Sequence, residues 1–199
     1  MATFEEITRH TDFDSADVTW VSNRPPATPI AIVDADPSWP EQFDELSAHI
    51  RRSLGDCVLE LDHVGSTSVP GLPAKPVIDI DLTVADSTDE AAYIPALEGL
   101  GFVFLLREPG WHGHRLLKAA SPLANLHVWG PDCPEVIRHR MFRDCLRQHS
   151  DDRARYAEAK WAAASAANIA HEDGMAYNER KQPIVRQILD DIFRAHGML

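Results

Sequence analysis

The sequence predicts one mixed α/β domain that ends in a helical part. Between residues 30 and about 130, short apolar runs typical of strands alternate with amphipathic runs typical of helices. From Pro134 onward the apolar residues recur with the helical period. With 199 residues, 44% of them apolar and 25% charged, the chain is long enough to bury one core. We therefore expect an α/β or α+β fold in which a mixed sheet is flanked by helices.

Residues 1–29 are predicted to form an N-terminal arm or a poorly ordered tail. They combine acidic, Ser and Thr residues with a Pro-rich stretch at 25–29, and they show little periodicity. Trp20 and Val21 are apolar enough to dock on the body of the protein. The domain itself is expected at residues 30–199, with its C-terminal helices beginning at about residue 134.

The first half of the domain is expected to alternate strands and loops around one helix. The apolar run at 30–33 predicts a short strand, and the sequence DPSWP at 36–40 predicts the start of a helix. This helix should run to about Leu54, where Gly55 ends it. Further strands are expected at 58–64 and 77–84, joined by a Gly- and Pro-rich loop at 65–76.

The second half is expected to complete the sheet and then turn helical. A helix at 89–100 should end at Gly101. Extended runs follow at 102–106, 114–119 and 125–129. Three helices should close the chain, with breaks near Ser150 and Gly174, and the sequence DCPE at 132–135 is typical of a capped helix start.

Charge and cysteine usage narrow the classes of function. With 31 acidic and 19 basic residues, the formal net charge of −12 should repel nucleic acids and anionic membranes, which favours a small-molecule substrate. No window approaches the roughly 18 consecutive apolar residues that a membrane span needs. Cys57, Cys133 and Cys145 form no CxxC pair and accompany no signal-like stretch, which predicts a cytoplasmic location. The oligomeric state is not indicated.

The stretch HVGSTSVPGLPAKPVIDID at 63–81 carries the strongest indication of chemistry. Gly65 and Ser66 directly follow a predicted strand, where a tight turn presents backbone N–H groups and a hydroxyl to phosphate oxygens. Asp79 and Asp81 are two residues apart on the next strand, so their side chains point the same way and can share a divalent cation. The alternative, two aspartates on a solvated edge strand, is disfavoured by their apolar neighbours.

This pattern resembles that of nucleotidyltransferases, and longer motifs resemble one family in particular. The segments HVGSTSVPGLPAKPVIDIDLTV, NLHVWG, FRDCLRQHSDDRARYAEAK and YNERKQPI closely resemble the GrpB family over about residues 30–195. The resemblance implies a nucleotidyltransferase-like mixed sheet, and it implies a domain that also occurs attached to dephospho-CoA kinase. It implies a fold more directly than it implies a reaction.

The resemblance also defines a departure from the nucleotidyltransferase pattern. In that pattern a later strand supplies a third carboxylate for the metal site, whereas the matching strand here, NLHV, offers His127. An imidazole binds Mg²⁺ poorly and Mn²⁺ or Zn²⁺ better, so His127 is a candidate metal ligand, general base or phosphate contact. It is equally a candidate for a plain hydrogen-bonded strand histidine. The cofactor expected with Asp79 and Asp81 is Mg²⁺ or Mn²⁺.

Several further side chains are candidates for holding a nucleotide or its phosphates. Arg143 belongs to a stripe with Arg140 and Arg147 on one helix face, which can meet a polyanion or pair with nearby acids on a solvated face. Tyr156 with Lys160, and Tyr177 with Lys181, are each one turn apart, a spacing that also suits ordinary surface packing. The remaining candidates are His63, Thr67, Lys75 and Arg115.

Three functions are consistent with these residues. The first is a metal-dependent nucleotidyltransferase that acts on a nucleoside triphosphate and an unidentified small molecule, with Asp79, Asp81 and His127 as catalytic residues. The second is a non-catalytic nucleotide- or metabolite-binding module, which can be the partner of a larger enzyme. The third is a zinc-dependent hydrolase whose metal cluster would be drawn from His63, His112, His114 and His127.

Overall fold

A six-stranded mixed sheet forms the centre of the structure, a computed structural model that describes residues 1–23 and 29–199. The strands are β1 (Thr19–Trp20), β2 (Glu60–Val64), β3 (Ile78–Thr83), β4 (Val103–Glu108), β5 (His114–Ala120) and β6 (Leu123–Trp129). The helices are α1 (Phe4–Thr8), α2 (Trp39–Leu54), α3 (Ile94–Gly99), α4 (Pro134–Gln148), α5 (Ser150–Ile169) and α6 (Gly174–Ala195). The predicted fold class, a mixed sheet flanked by helices with a helical C-terminal part, is confirmed.

The order of the strands across the sheet is β1-β4-β5-β6-β3-β2. Only β3 and β6 run parallel, and the other neighbouring pairs are antiparallel. In the parallel pair, Asp79 lies opposite Asn125 and Asp81 lies opposite His127. The sheet therefore places the two predicted aspartates of β3 beside the polar residues of β6.

The larger apolar core lies between the sheet and the helices α2 and α3. Ile80 and Leu82 of β3 and Leu126 of β6 are completely buried in it, together with Ile50 of α2 and Leu97 of α3. Burial of an aliphatic side chain of this size stabilises the fold by about 1.5–3 kcal/mol. The alternation of buried apolar residues along β3 thus leaves Asp79 and Asp81 pointing towards the helices α4–α6.

The three C-terminal helices pack together and form a second core. The helical period predicted for the apolar residues after Pro134 is confirmed near the end of the chain, because Ile188, Leu189, Ile192 and Phe193 of α6 are buried together with Tyr156 of α5. The helix breaks fall at His149 and at 170–173, close to the predicted positions. The predicted capping by the DCPE sequence is wrong: the helix begins after Cys133, which makes no side-chain capping hydrogen bond.

The apolar run at 30–33 does not form the predicted strand. Val33 forms an isolated bridge with Ala74, and no wider pairing follows. Ile30 and Ile32 are instead buried against helix α5 near Ala167. The short apolar run that suggested a strand therefore belongs to a segment that packs on a helix. The helix predicted at 89–100 is shorter, because a 3₁₀ turn at Glu90–Ala92 precedes α3.

Much of the predicted N-terminal arm packs on the body. Strand β1 pairs with β4, so that Trp20 lies opposite Leu106, as the apolar character of Trp20 suggested. Ile7 of α1 is buried in the second core, and the guanidinium of Arg138 donates hydrogen bonds to the carbonyls of Ile7 and Arg9. Residues 24–28, which include most of the Pro-rich stretch, lie outside the described residues. Within the described ranges, no helix has both the length and the apolar character that crossing a membrane requires.

Candidate functional site

A cavity of about 340 Å³ lies where β2 ends and where β3 and β6 begin, and it is closed by the helices α4–α6. Eight of the predicted site residues line it: Gly65, Ser66, Lys75, Asp79, His127, Lys160, Tyr177 and Lys181. Some of these residues precede residue 134, where the helical C-terminal part begins, and the others follow it. The cavity is therefore the place at which the strand-loop-strand unit and the C-terminal helices meet.

Asp79 faces this cavity and is held in close contact with Gly65. The carboxylate accepts a hydrogen bond at Oδ1 from the side-chain amide of Asn125, at 2.7 Å. Gly65 has φ +67° and ψ −168°, a conformation open essentially to glycine alone. A Cβ atom at Gly65 would lie 2.3 Å from Oδ2 of Asp79. The glycine is thus required both by the turn and by the carboxylate beside it.

Asp81 has a different environment from Asp79, although the two residues are neighbours on the same face of β3. Its side chain is 1% exposed and does not line the cavity. Oδ1 accepts a hydrogen bond from the indole N–H of Trp129 at 2.9 Å, and Oδ2 lies 2.8 Å from Nδ1 of His139. Both oxygens therefore already have partners within the protein.

Asp81 and His139 perturb each other's pKa. Burial alone would raise the pKa of Asp81, but the charge and hydrogen bond of His139, with the bond from Trp129, lower it. Burial alone would likewise lower the pKa of His139, but the Asp81 carboxylate raises it to about 9. The pair is thus ionised at neutral pH, and it places a cationic imidazole in the cavity lining.

Three lysines also line the cavity: Lys75, Lys160 and Lys181. Lys160 is 1% exposed and donates to the carbonyl of Pro73, and Lys181 lies 3.5 Å from the hydroxyl of Tyr156. The ammonium groups lie over aromatic rings, as with Lys75 at 4.9 Å from the ring centre of Tyr177. Among the described residues, none of the three lysines has a carboxylate within ion-pair distance. The cavity therefore brings together three basic side chains that have no carboxylate partners of their own among these residues.

Burial lowers the basicity of Lys75 and Lys160. Burial and the nearby charge of Lys181 lower the pKa of Lys160 to about 7. The same two causes lower the pKa of Lys75. An anion bound between the lysines would favour their charged forms and so raise these pKa values again.

The substitution Lys160→Met tests the effect of this burial through stability. An unfolded lysine has a pKa of about 10.4, so between that pH and about 7 the unfolded wild-type chain binds more protons than the folded one. Wild type should lose stability relative to the variant as pH falls through this window, by at most about 1.4 kcal/mol per pH unit. Urea unfolding of both proteins at several pH values measures the difference. Lys118→Met, outside the cavity lining, controls for the loss of one lysine charge.

The histidine of β6 continues into a chain of buried polar groups. Nδ1 of His127 lies 3.0 Å from Nε2 of His114, and Nδ1 of His114 lies 2.6 Å from Oε2 of Glu108. His114 is 2% exposed and stacks against Trp129, with ring centres 4.2 Å apart. Burial lowers the pKa of His114 to about 3, and burial with the influence of His114 lowers that of His127 to about 4. Both imidazoles are therefore neutral at neutral pH.

Four predicted phosphate contacts do not line the cavity: His63, Thr67, Arg115 and Arg143. His63 stacks on Phe43 and lies 3.0 Å from the hydroxyl of Thr67, and burial lowers its pKa to about 4. These two residues brace the turn after β2, since Thr67 also donates to the carbonyl of Val77.

The arginines are occupied by partners within the protein. Arg115 pairs with Glu90, and Arg143 pairs with Asp144 and donates to the carbonyl of His63. The other members of the predicted stripe behave similarly: Arg140 binds Glu60 and Asp62, and Arg147 donates to the carbonyl of Ser68. The alternative of a stripe paired with nearby acids therefore describes these residues best, and the interaction with Ser68 supports the glycine-containing turn.

The structure adds residues that were not selected from the sequence. His139, Asn125, Trp111 and Asn178 also line the cavity. His139 lies on α4 and reaches β3 across 58 residues of sequence, and Asn125 is placed by the parallel pairing of β3 with β6. The polar residue two positions before His127 was a usable indication for Asn125. No local pattern indicated His139.

A zinc cluster built from the four histidines is not supported. In the part of the chain that the structure describes, no group of three or more His, Cys, Asp or Glu side chains is arranged to hold a metal ion. His63 lies on Phe43, and His112 is exposed with a φ of +53° in the turn before β5. Only His114 and His127 of the four are in contact with each other.

The fold and the cavity define a mixed α/β domain with a cationic pocket beside its central parallel strand pair. The model of the GrpB protein family matches residues 29–191. The chain belongs to the GrpB family, as its motifs indicated. The UPF0157 protein BH1888 of Halalkalibacterium halodurans is 41% identical over 184 residues, which cover 92% of each of the two chains.

Two solved structures and a longer relative extend these comparisons. The crystal structure of conserved protein GrpB from Enterococcus faecalis is similar with a TM-score of 0.72 and 26% identity, covering 84% of this chain and 99% of that one. A TM-score of 0.41 and 12% identity to Cid1 in complex with its short product ApU are too low to carry function. The dephospho-CoA kinase of Mycolicibacterium paratuberculosis is 33% identical over 185 residues, covering 79% of this chain and 44% of that protein.

Proposed function

We propose that this protein is a metal-dependent nucleotidyltransferase that moves a nucleotidyl group from a nucleoside triphosphate to a small-molecule acceptor. The proposal rests above all on the cavity in which Lys75, Lys160 and Lys181 face Asp79 without carboxylate partners of their own. Ammonium groups that are removed from water without carboxylate partners cost free energy, and a bound polyanion such as a triphosphate would recover that cost. Membership of the GrpB family supports assignment to the nucleotidyltransferase-like superfamily and does not specify a reaction.

Each part of the cavity has a role in the proposal. Gly65 and Ser66 line it with a glycine-containing turn, whose backbone N–H groups suit phosphate oxygens, and the lysines neutralise further phosphate charge. A hydroxyl, amine or carboxylate of the acceptor would attack the α-phosphorus in line, forming one bond as the bond to pyrophosphate breaks. His127, in the same cavity, would accept the proton of a hydroxyl or amine acceptor.

Asp79 suits a divalent cation better than Asp81 does. Mg²⁺ is usually bound by one or two carboxylates together with substrate phosphates and water. Oδ2 of Asp79 accepts no hydrogen bond from the residues that the structure describes, whereas both oxygens of Asp81 are engaged. We therefore assign the contact with Mg²⁺ or Mn²⁺ to Asp79 and give Asp81 the role of holding His139. When bound, the cation would neutralise charge that develops on the phosphates.

A second candidate function is a non-catalytic module that binds a nucleotide or a related metabolite. The partner of Asp79 on β6 is Asn125, which has no carboxylate. Among the residues that the structure describes, Asp79 is therefore the one carboxylate that the cavity lining offers to a cation, and this favours a module that does not catalyse a reaction. The likeness to less than half of a dephospho-CoA kinase shows that similar sequence occurs within a longer protein of another name. A role as an accessory to such an enzyme follows from this second proposal.

Pyrophosphate release separates the two proposals. The purified protein is incubated with each labelled nucleoside triphosphate, Mg²⁺ or Mn²⁺, and pools of small metabolites. Catalysis predicts pyrophosphate and a labelled product, both of which fall to background in Asp79→Ala. Asp62→Ala is the control, because Asp62 lies on the neighbouring strand β2 and outside the cavity lining. We expect this control to retain turnover.

Calorimetric titration with the same nucleotides completes the test. Binding of a nucleotide without any turnover would favour the module over the enzyme. If neither a triphosphate nor pyrophosphate binds, and if Lys181→Met changes nothing, the cavity does not serve a nucleotide and both proposals fail.

A further inference from the structure

Glu108, His114 and His127 form a continuous chain that runs from the buried end of β4 to the cavity. The carboxylate of Glu108 contacts Nδ1 of His114, and Nε2 of His114 contacts Nδ1 of His127. The last atom of the chain, Nε2 of His127, has no hydrogen-bond partner among the residues that the structure describes. Because His127 lines the cavity, this atom is the end of the chain that a ligand can reach.

In its ionised form the carboxylate of Glu108 determines the direction of every hydrogen bond in the chain, although burial raises the pKa of this group above its usual value. An ionised carboxylate only accepts hydrogen bonds, so Nδ1 of His114 must carry the hydrogen. A neutral imidazole has one N–H group, so Nε2 of His114 carries no hydrogen. Its lone pair accepts the hydrogen bond from Nδ1–H of His127. Nε2 of His127 consequently carries no hydrogen and presents a lone pair.

The packing around the chain keeps these groups in place. His114 lies between Trp129, which stacks on it, and Trp111, whose ring meets it edge-on at 5.0 Å between centres. Its ring stacks on that of His127 with centres 5.1 Å apart. Glu108 and His114 are 9% and 2% exposed, so water does not compete for their bond. Imidazoles held in this way cannot reorient without breaking a buried contact.

We propose that Glu108 and His114 are positioning residues that fix His127 in the Nδ1–H tautomer, with the lone pair of Nε2 directed into the cavity as a proton acceptor. The arrangement of the chain does not depend on the reaction. Its use as a general base rests on the proposed nucleotidyl transfer.

In the proposed transfer, His127 takes the proton that the acceptor loses. The O–H or N–H bond of the acceptor breaks and a bond from that hydrogen to Nε2 of His127 forms, while the acceptor atom bonds to the α-phosphorus and pyrophosphate leaves. His127 then carries a positive charge, which the Glu108 carboxylate stabilises through His114. A carboxylate that orients a catalytic imidazole and stabilises its charged form acts in the same way in serine proteases.

Long-range ¹H–¹⁵N correlation spectra of the ¹⁵N-histidine-labelled wild-type protein test the tautomers directly at neutral pH. We expect both His114 and His127 to show the Nδ1–H pattern, which is the minor form of a free neutral histidine side chain. The two signals are assigned by their loss in His114→Asn and His127→Asn. An Nε2–H pattern at His127 in the wild-type protein would overturn the proposal, and this measurement requires no variant to be active.

The matched variants Glu108→Gln and Glu90→Gln isolate the carboxylate charge. Both glutamates bind a basic residue of β5, His114 in one case and Arg115 in the other. The amide of a glutamine can accept or donate, so Glu108→Gln should populate Nε2–H at His127, whereas Glu90→Gln should leave the tautomer unchanged. Thermal unfolding of both variants verifies that each is folded.

Turnover distinguishes a failure of this inference from a failure of the proposed function. If nucleotidyl transfer occurs, Glu108→Gln should lower kcat by about 100-fold with little change in KM, since general-base catalysis contributes at least that factor. An unchanged tautomer in Glu108→Gln refutes the role of the carboxylate. The expected tautomers in a protein that never releases pyrophosphate would support the inference and refute the proposed transfer.

Discussion

Replacing Gly65 by alanine is expected to displace the Asp79 carboxylate and to weaken nucleotide binding while the protein remains folded. The new Cβ would lie 2.3 Å from Oδ2 and 2.9 Å from Cβ of Asp79. Such an overlap requires a shift of the aspartate or of the turn, and either shift moves the carboxylate away from Asn125. The backbone conformation of Gly65 adds a strain of about 1–3 kcal/mol for any other residue. Binding and turnover should therefore fall together.

Gly55→Ala provides the control for backbone strain alone. Gly55 ends α2 with φ +54° and ψ −126°, and an added Cβ would meet no atom within 4 Å. We expect both variants to lose about 1–3 kcal/mol of stability from the strain that a side chain meets at positive φ. Gly65→Ala should lose more than Gly55→Ala, because its Cβ also overlaps Asp79. Only Gly65→Ala should weaken the binding of a triphosphate or of pyrophosphate, by at least about tenfold, or 1.4 kcal/mol. Equal affinities in the two variants would show that the position of Asp79 does not govern binding.

The fold was predictable wherever one local pattern determined one element. The alternation of Ile78, Ile80 and Leu82 identified β3 and its polar face, and the helical period after Pro134 identified the three closing helices. The prediction of a strand at 30–33 was wrong because a short apolar run also suits an extended segment packed on a helix. Periodicity indicates which side of a segment is buried, and it does not indicate what covers that side.

The candidate site was predictable only in part, because a local sequence pattern does not show which groups the fold brings against a side chain. The turn at Gly65 and the carboxylate of Asp79 are close in sequence, so their spacing carried the information. Asp81 was expected to share the cation, but its oxygens are held by Trp129 and His139, which reach it through the tertiary fold. A strand alternation places two aspartates on one face, whereas only the packed structure shows which of them remains available.

Substitution by asparagine should therefore mainly lower stability at Asp81 and mainly impair function at Asp79. Asp81→Asn removes the charge that faces the partly buried imidazolium of His139 in the wild-type protein, and breaking such a pair typically costs about 3–5 kcal/mol. Asp79→Asn keeps an oxygen that can accept the hydrogen bond of Asn125, so its stability should change by less than about 1 kcal/mol. Urea unfolding measures the stabilities, and pyrophosphate release or nucleotide binding measures function. Loss of function without loss of stability is expected for Asp79→Asn alone.

The pH dependence of stability identifies the pair that Asp81→Asn breaks. Because the folded-state pKa of His139 is raised to about 9, the pair stabilises the wild-type protein fully below the unfolded-state pKa of about 6.5. This contribution is lost as pH rises through about 9. The stability difference between wild type and Asp81→Asn should therefore shrink between these two pH values, while that between wild type and Asp79→Asn should shrink much less. A stable Asp81→Asn protein that no longer binds nucleotide would instead assign Asp81 to the ligand, because a residue that acts only by holding His139 cannot lose its partner without destabilising the fold.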